Sequence, residues 1–245
     1  MKLRLDELLV ERHLANDIAA ARAMIGAGEV LVNDQVADKA GIAYPAGIAI
    51  RTKQKCRYVS RGGLKLEQAI DSFDIDPAGM CCLDVGASSG GFTDCLLQNG
   101  AARVYAVDVA YGQLDWKLRS DDRVVVIERF NARKLKPSDL GEAIDLAVMD
   151  ASFISITKII PTLIPLFRER AQIIALIKPQ FELPQHKIGK GGVVREPELH
   201  QEAIDKIVTF AKELDLKVEG IVTSPIHGPK GNTEFLIHLT GRDND

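Results

Sequence analysis

The sequence predicts an α/β fold: a Rossmann-like, doubly wound sheet whose last strand runs antiparallel, with a small α+β module ahead of it. Three observations predict it. From residue 64 onward, short apolar runs of strand length alternate with segments of helical period. Two of those runs, 124–127 and 173–177, are unbroken Val, Ile, Leu and Ala, the composition of parallel strands covered on both faces. The last two strands are separated only by a short link, 223–233, carrying Pro225, Gly228, Pro229 and Gly231. A parallel pair needs a longer crossover, so this pair is expected to be antiparallel.

The elements follow in order. Residues 3–14 place Leu5, Leu8, Leu9 and Val10 at near-helical spacing, and 17–27 repeat the pattern with Ala20, Ala21, Met24 and Ile25 before Gly28. Residues 30–32 and 35–37 flank Asn33-Asp34 and read as a hairpin, because Asn and Asp tolerate the positive φ of a tight two-residue turn. Further short strands are expected at 47–50 and 57–59. So short a stretch buries little core, which makes residues 1–59 a compact module, joined through 56–62 to a second domain, 60–245, with Gly62-Gly63 as the hinge. A helix then runs to Phe73 until Pro77 and Gly79 break it. Strands are expected at 81–85, 103–107, 124–127, 146–149, 172–177, 217–222 and 234–239. Helices are expected at 91–98, 113–118, 154–166 and 198–214.

Composition narrows the function. Of 245 residues, 46% are hydrophobic and 27% charged, and the net charge is −3. Those are ordinary globular values, and RNA contact has to come from local clusters of Lys and Arg rather than from the overall field. Cys56, Cys81, Cys82 and Cys95 form no Cys-x-x-Cys pair, which argues against a disulfide framework and a metal site. The N-terminus is charged where a signal peptide needs an apolar stretch, and no window approaches the ~20 apolar residues of a membrane span. A soluble cytoplasmic protein with no metal and no membrane partner is expected; the sequence assigns no oligomeric state.

The first strand of the large domain runs into Asp84-Val85-Gly86-Ala87-Ser88-Ser89-Gly90-Gly91-Phe92-Thr93, and a helix follows at once. Glycines bring backbone close to a ligand, and the exposed N–H groups of a helix start favour a carboxylate or phosphate. The dinucleotide pattern Gly-x-Gly-x-x-Gly is absent, as is the Gly-Lys-Ser/Thr ending of an NTP loop. The methionine carboxylate of S-adenosylmethionine fits instead, cradled by Gly86, Ser88, Ser89, Gly90, Gly91 and Phe92, with Asp84 meeting the amino group. Asp108, ending the second strand, is positioned for ribose hydroxyls, and Asn131, after the third, borders the adenine. The reversed last strand is also a feature of the methyltransferase version of this fold.

Four residues far apart in the chain, Lys65, Asp150, Lys178 and Glu234, fall where this topology brings them to that loop. Asp150 and Lys178 end the fourth and fifth strands, Glu234 opens the last, and Lys65 lies on the helix leading into the sheet. A ribose 2′-hydroxyl is a poor nucleophile at neutral pH, so methylating it needs positioning and relief of its proton. A lysine does this as the free amine, a form that burial and a second cation favour and that the two carboxylates oppose. Amino-group methyltransferases commonly carry Asn/Asp-Pro-Pro-aromatic at the fourth strand; this chain has Asp150-Ala151-Ser152-Phe153.

These blocks, with Arg61-Gly62-Gly63-Leu64-Lys65, Tyr105-Ala106-Val107-Asp108, Tyr111-Gly112-Gln113-Leu114-Asp115-Trp116, Ile177-Lys178-Pro179-Gln180-Phe181 and Gly231-Asn232-Thr233-Glu234, resemble the hemolysin-A-like (TlyA-type) ribosomal RNA 2′-O-methyltransferases over essentially the whole length. The resemblance implies an S4-type RNA-binding module followed by an FtsJ-like methyltransferase domain that uses S-adenosylmethionine. It implies that Lys65, Asp150, Lys178 and Glu234 form a Lys-Asp-Lys-Glu set, and that the substrate is rRNA in a ribosomal subunit. RNA contacts are expected from Arg4, Arg12, Arg22 and Lys39, with Arg51, Lys53, Lys55 and Arg57 nearby, and from Lys187, Lys190 and Arg195. The last three lie in a segment with three glycines, expected to close over RNA. The rival readings are a small-molecule O-methyltransferase, a non-catalytic RNA-binding protein and a membrane-active hemolysin. The first has no use for the N-terminal module, the second should have lost part of the tetrad, and the third lacks a spanning segment.

Overall fold

The computed structural model describes residues 2–52 and 56–241, and its contacts divide the chain into two compact units, Met1–Cys56 and Arg57–Asp245. In the first unit β1 (Lys2–Arg4) leads into α1 (Leu5–Glu11) and α2 (Ile18–Gly26), followed by β2 (Val30–Val32), β3 (Gln35–Val36), β4 (Ala43–Pro45) and β5 (Ile50–Thr52). β1 pairs with β4, and β3-β2-β5 form a second small sheet. The expected hairpin is present, with φ of 49° at Asn33 and 66° at Asp34. Asp17 caps α2 by accepting a hydrogen bond from the Ala20 N–H at 2.7 Å. Leu5, Leu9, Ala21, Ile25, Val30 and Val32 form the core.

The second unit begins with α3 (Gly62–Phe73). It continues through β6 (Cys81–Val85), α4 (Gly91–Gln98), β7 (Arg103–Val107), α5 (Trp116–Arg119), β8 (Val124–Ile127), β9 (Leu146–Met149), α6 (Ile160–Leu163), β10 (Gln172–Ile177), α7 (Pro179–Glu182), α8 (Pro197–Glu213), β11 (Leu216–Thr223) and β12 (Phe235–Gly241). Sheet order is β11-β12-β10-β9-β6-β7-β8. β6 to β10 are parallel, and β12 is inserted antiparallel between β10 and β11. β9 is wholly buried, and so is β6 although it carries Asp84, whereas 124–127, expected to be covered on both faces, is the edge strand β8 and only half-buried. The chain leaves β6 toward β7 and β8, then crosses to β9 on the other side, so the loops after β6 and β9 diverge and open a crevice at the carboxyl edge.

Several expectations are corrected. Residues 57–59 form no strand: Tyr58 is buried, its hydroxyl donates to Glu67 at 2.8 Å, and the Val59 N–H donates to Asp94 at 2.8 Å. Gly62 and Gly63 are the first turn of α3, not a hinge, and a Cβ on Gly63 would lie 2.3 Å from Tyr58 Cγ. That glycine is needed for close packing. Gly63→Ala is therefore expected to cost about 1–3 kcal/mol in urea unfolding, whereas Gly79→Ala lacks any such contact and carries only the strain of its positive φ. The helix expected at 154–166 is three short pieces, because Pro161 and Pro165 remove N–H donors. The helix expected at 113–118 shrinks to α5, capped by Asp115. The strand expected at 47–50 starts only at Ile50.

Candidate active site

An antiparallel strand starts at the sheet edge where its parallel neighbours end. Glu234, immediately before β12, therefore meets Lys178, immediately after β10; the flanking residues Ile177 and Phe235 are register partners. Asp150 follows β9 at the same edge, and α3 carries Lys65 to it. Lys65 Nζ donates to Glu234 Oε2 at 2.6 Å and lies 3.6 Å from Asp150 Oδ2. Lys178 Nζ is 2.5 Å from Asp150 Oδ1, an ion pair outside hydrogen-bond alignment, and donates to Ser152 Oγ at 2.8 Å. The four predicted residues are thus one connected cluster, with Glu234 at 1% exposure and both lysines at 6%. At this burial the charges are sustained by one another.

Two cavities meet at Asp150. One, of about 470 Å³, is lined by Gly86, Ser88, Asp108 and Asn131 of the predicted set, with Val107, Phe130 and Ile159 as apolar walls. The other, of about 280 Å³, is lined by Gly86, Ser88, Ser89, Gly91 and Phe92 together with Lys65 and Ser60. The loop that separates them is held by its own backbone: φ is 82° at Gly86, 49° at Ser88 and 94° at Gly90, and the Ser88 N–H donates to Asp108 Oδ2 at 2.7 Å. A Cβ on Gly86 would come 2.8 Å from the Asp150 carbonyl oxygen, so this glycine lets the two backbones pass closely at the strand ends, at the base of the crevice. Gly90 lies on neither wall; a Cβ there would meet Leu118 at 2.2 Å. Asn131 Oδ1 accepts the Arg133 N–H at 3.1 Å.

Asp84 also departs from expectation. It is 0% exposed and lines neither of these cavities; its Oδ2 accepts the Thr93 hydroxyl at 2.6 Å while Oδ1 is buried without a partner. Burial pushes its pKa up to about 7, with the Asp150 and Asp108 carboxylates adding to the rise and Thr93 opposing it. A raised carboxyl pKa makes a contribution to stability that is complete below its unfolded value of 3.8 and lost as pH climbs through about 7. Asp84→Asn, neutral throughout, should flatten this fall, which amounts to at most about 4 kcal/mol for wild type. Unfolding free energies of both proteins at pH 5 and pH 8 check it; parallel pH dependences would refute the assignment.

A third cavity, of about 430 Å³, opens beyond Lys178 and Glu234 and is lined by Ser152, Phe153, Gln180, Phe181 and Lys230 among others. Its frame rests on a residue that sequence reasoning missed. Glu182, 4% exposed, accepts from Ser155 Oγ at 2.5 Å, the Ile156 N–H at 2.9 Å and Lys206 Nζ at 3.0 Å, which fastens the loop after β9 to α7. Nothing in its spacing sets it apart from a surface glutamate at the end of a helix. Ser152, Lys178's hydroxyl partner, lies in the block Asp150-Ala151-Ser152-Phe153, where only the fold shows which side chain it meets.

The predicted RNA contacts divide. Arg4 and Arg22 both bind the buried Asp6, at 2.9 and 2.8 Å, and Arg4's hydrogen bond, outweighing the cost of burial, holds that carboxyl down at about 2. Their side chains stay about half exposed. Arg12 is corrected to a structural role: its guanidinium donates to the carbonyls of Ile48 and Ala46. Lys39, Lys190 and Arg195 are exposed, and Lys187 pairs with Glu202 at 2.6 Å. Arg51 and Arg57 pair with Asp34 and Glu67. Lys53 and Lys55 lie outside the described residues. The glycine-bearing segment is tied down by Asn232, which accepts from the Val194 N–H and donates to the Gly192 carbonyl, both at 2.9 Å. No helix among the described residues is long and apolar enough to cross a membrane.

The comparisons agree with this anatomy. The FtsJ-like methyltransferase family matches residues 58–240, and the S4 domain matches residues 3–45. The chain is 43% identical over 240 residues to the 16S/23S rRNA (cytidine-2′-O)-methyltransferase TlyA of Mycobacterium tuberculosis, covering 97% of this chain and 90% of that one. It is 40% identical over 238 residues to Hemolysin A of Brachyspira hyodysenteriae, covering 97% and 99%. A solved structure named "Putative hemolysin" from Streptococcus thermophilus superposes with a TM-score of 0.77 at 43% identity, covering 99% of this chain and 89% of that one. With its S4 domain, its reversed seventh strand and its buried Lys-Asp-Lys-Glu cluster, the chain belongs to the TlyA-type, hemolysin-A-like branch of the FtsJ-like methyltransferases.

Proposed function

We propose that this protein is an S-adenosylmethionine-dependent RNA methyltransferase that modifies the 2′-hydroxyl of a ribose in ribosomal RNA within assembled subunits, and that the target is a cytidine, the nucleoside that the name of its mycobacterial relative gives for that protein. The observation that carries the reading is the buried Lys65–Glu234 and Lys178–Asp150 pairing at the point where the cavities meet. A ribosomal substrate goes with a cytoplasmic protein.

The residues present fit the cofactor. Asp108 offers a carboxylate to ribose hydroxyls, and Val107, Phe130 and Ile159 give an adenine ring apolar walls beside Asn131. Ser89, Gly91 and Phe92, at the start of α4, line the second cavity, where a methionine carboxylate would lie. Asp84, set behind the loop, acts on it through Thr93. When bound, S-adenosylmethionine supplies an electrophilic methyl group on a sulfonium.

The chain's own residues do the rest. Lys178 lines the cavity on the nucleotide side, whereas Lys65 lines the one on the cofactor side. Lys178 would accept the proton of the 2′-hydroxyl as the oxygen bonds to the methyl carbon and the carbon–sulfur bond breaks, releasing S-adenosylhomocysteine, and the ammonium so formed is the one that pairs with Asp150. Asp150 orients that amine and Ser152 fixes its second direction. Lys65, locked between Glu234 and Asp150, holds the two carboxylates at a set separation. Lys39, Lys187, Lys190, Arg195 and the outer faces of Arg4 and Arg22 neutralise phosphates and make binding fall with salt.

The test is to incubate unmodified small and large subunits with enzyme and labelled cofactor and to map the methyl groups. The expected product is a 2′-O-methylated ribose, resistant to alkaline cleavage at that position. Label on a base nitrogen, or none on RNA, would refute the reading.

A further inference from the structure

Within an RNA chain, a nucleotide that offers a 2′-hydroxyl carries a phosphodiester on the neighbouring 3′ carbon, so a ribose facing Lys178 brings that anion to the same cavity. The cavity wall includes Lys178, Lys230 and a single carboxylate, Glu234, which Lys65 already holds at 2.6 Å. Lys178 is committed to Asp150, Lys187 to Glu202 and Lys206 to Glu182. Lys230 is exposed and makes no ion pair among the described residues. Its place is set by a tight turn: the Gly228 N–H donates to the Asn232 carbonyl at 2.9 Å and the Gly231 N–H to the Gly228 carbonyl at 2.8 Å. Across the cavity mouth lies Gly192, whose carbonyl accepts from Asn232 and on which a Cβ would sit 3.5 Å from Lys230 Nζ. Gly191 and Gly192, with φ of 82° and 81°, occupy a conformation that side chains disfavour, so bare backbone faces the ammonium there.

We infer that Lys230 holds the phosphodiester on the 3′ side of the target ribose, the one next to the reacting hydroxyl. The inference rests on the ribose methyltransferase reading and deepens it. Two effects follow. A phosphate gripped at the cavity mouth fixes where the 2′-hydroxyl points, because phosphate contacts set register and orientation without reading sequence. A phosphate anion beside a hydroxyl also opposes the growth of negative charge on its oxygen, and an ammonium on that phosphate offsets the opposition. Phosphate contacts elsewhere on the RNA change affinity alone; this one changes the rate of the bound substrate as well.

The experiment measures single-turnover methylation of ribosomal subunits over a range of subunit and salt concentrations. Lys230→Gln, which keeps the length and removes the charge, should lower kcat/KM by about tenfold or more, lower the rate at saturating subunits by about threefold or more, and make the decline of log kcat/KM with log salt shallower by about one unit. Lys230→Arg retains a cation and should stay within about threefold of wild type on every count. Lys212→Gln, on the exposed side of α8, removes the same charge away from the cavity and should leave all three quantities as they are. Cofactor affinity, titrated separately, should stay within about twofold throughout. An unchanged salt slope in Lys230→Gln, a saturated rate equal to wild type, equal losses in Lys230→Arg and Lys230→Gln, or a parallel loss of cofactor affinity would each overturn the inference while leaving ribose methylation intact. Absence of any 2′-O-methyl product with wild type would instead sink the functional reading on which it rests.

Discussion

Lys178→Ala is expected to lower the rate of methyl transfer by about 10²–10⁴-fold, the range for loss of a positioned proton acceptor, while S-adenosylmethionine binds within about threefold of wild type. The separation follows from geometry. Lys178 lines neither cavity assigned to the cofactor and touches Asp150, Ser152 and the nucleotide side. Single-turnover rates on ribosomal subunits and calorimetric titration of the cofactor check the two halves. A variant that transfers at the wild-type rate would remove Lys178 from the chemistry. A variant that loses cofactor affinity in parallel with rate would make its role structural. Lys178→Arg is informative beside it: it preserves a cation for Asp150 but cannot give up a proton at working pH, so it too should be inactive.

The second large effect is on folding. Glu234→Ala should cost about 3–5 kcal/mol, because it leaves the Lys65 ammonium, 8% exposed in its side chain, without its closest carboxylate. Asp150 remains, but at 3.6 Å and shared with Lys178. The turn before β12 loses contacts too, since Gly228 packs so closely on Glu234 that a Cβ there would fall 2.5 Å from Oε1. Urea unfolding measures the loss, and a change under about 1 kcal/mol would show that the pair is solvated, as surface ion pairs are. The double variant Lys65→Met, Glu234→Ala should recover part of the stability, because it removes both buried charges at once. It should recover none of the activity.

Much of this anatomy is written in particular residues. The strands of the large sheet are legible in their short apolar runs, and five of the seven expected coincide with the observed ones to the residue, although 124–127, read as covered on both faces, is the half-buried edge strand β8. Asn33-Asp34 is legible because few residues accept two successive positive φ angles. The helix at 154–166 misled because its apolar spacing is helical while Pro161 and Pro165 forbid the bonds. Gly63 misled in another way: the sequence shows a glycine pair, and only packing against Tyr58 tells close contact from flexibility.

The site divides along the same line. Order along the chain, with each charged residue at a strand end, was sufficient to nominate Lys65, Asp150, Lys178 and Glu234, since topology alone carries strand ends to one edge. What each atom meets required the fold. Arg12 reads as a phosphate contact until its guanidinium is found on two carbonyls, Asp84 reads as a cofactor ligand until it is found behind the loop, and Glu182 has no signal in one dimension. The sequence by itself determined the elements, their order and the chemistry the strand ends could offer, because backbone propensity and burial are properties of neighbours in the chain. Tertiary structure decided which polar atoms are paired, which are left waiting and which face a cavity, because those depend on distances of a few ångströms between residues up to 169 positions apart.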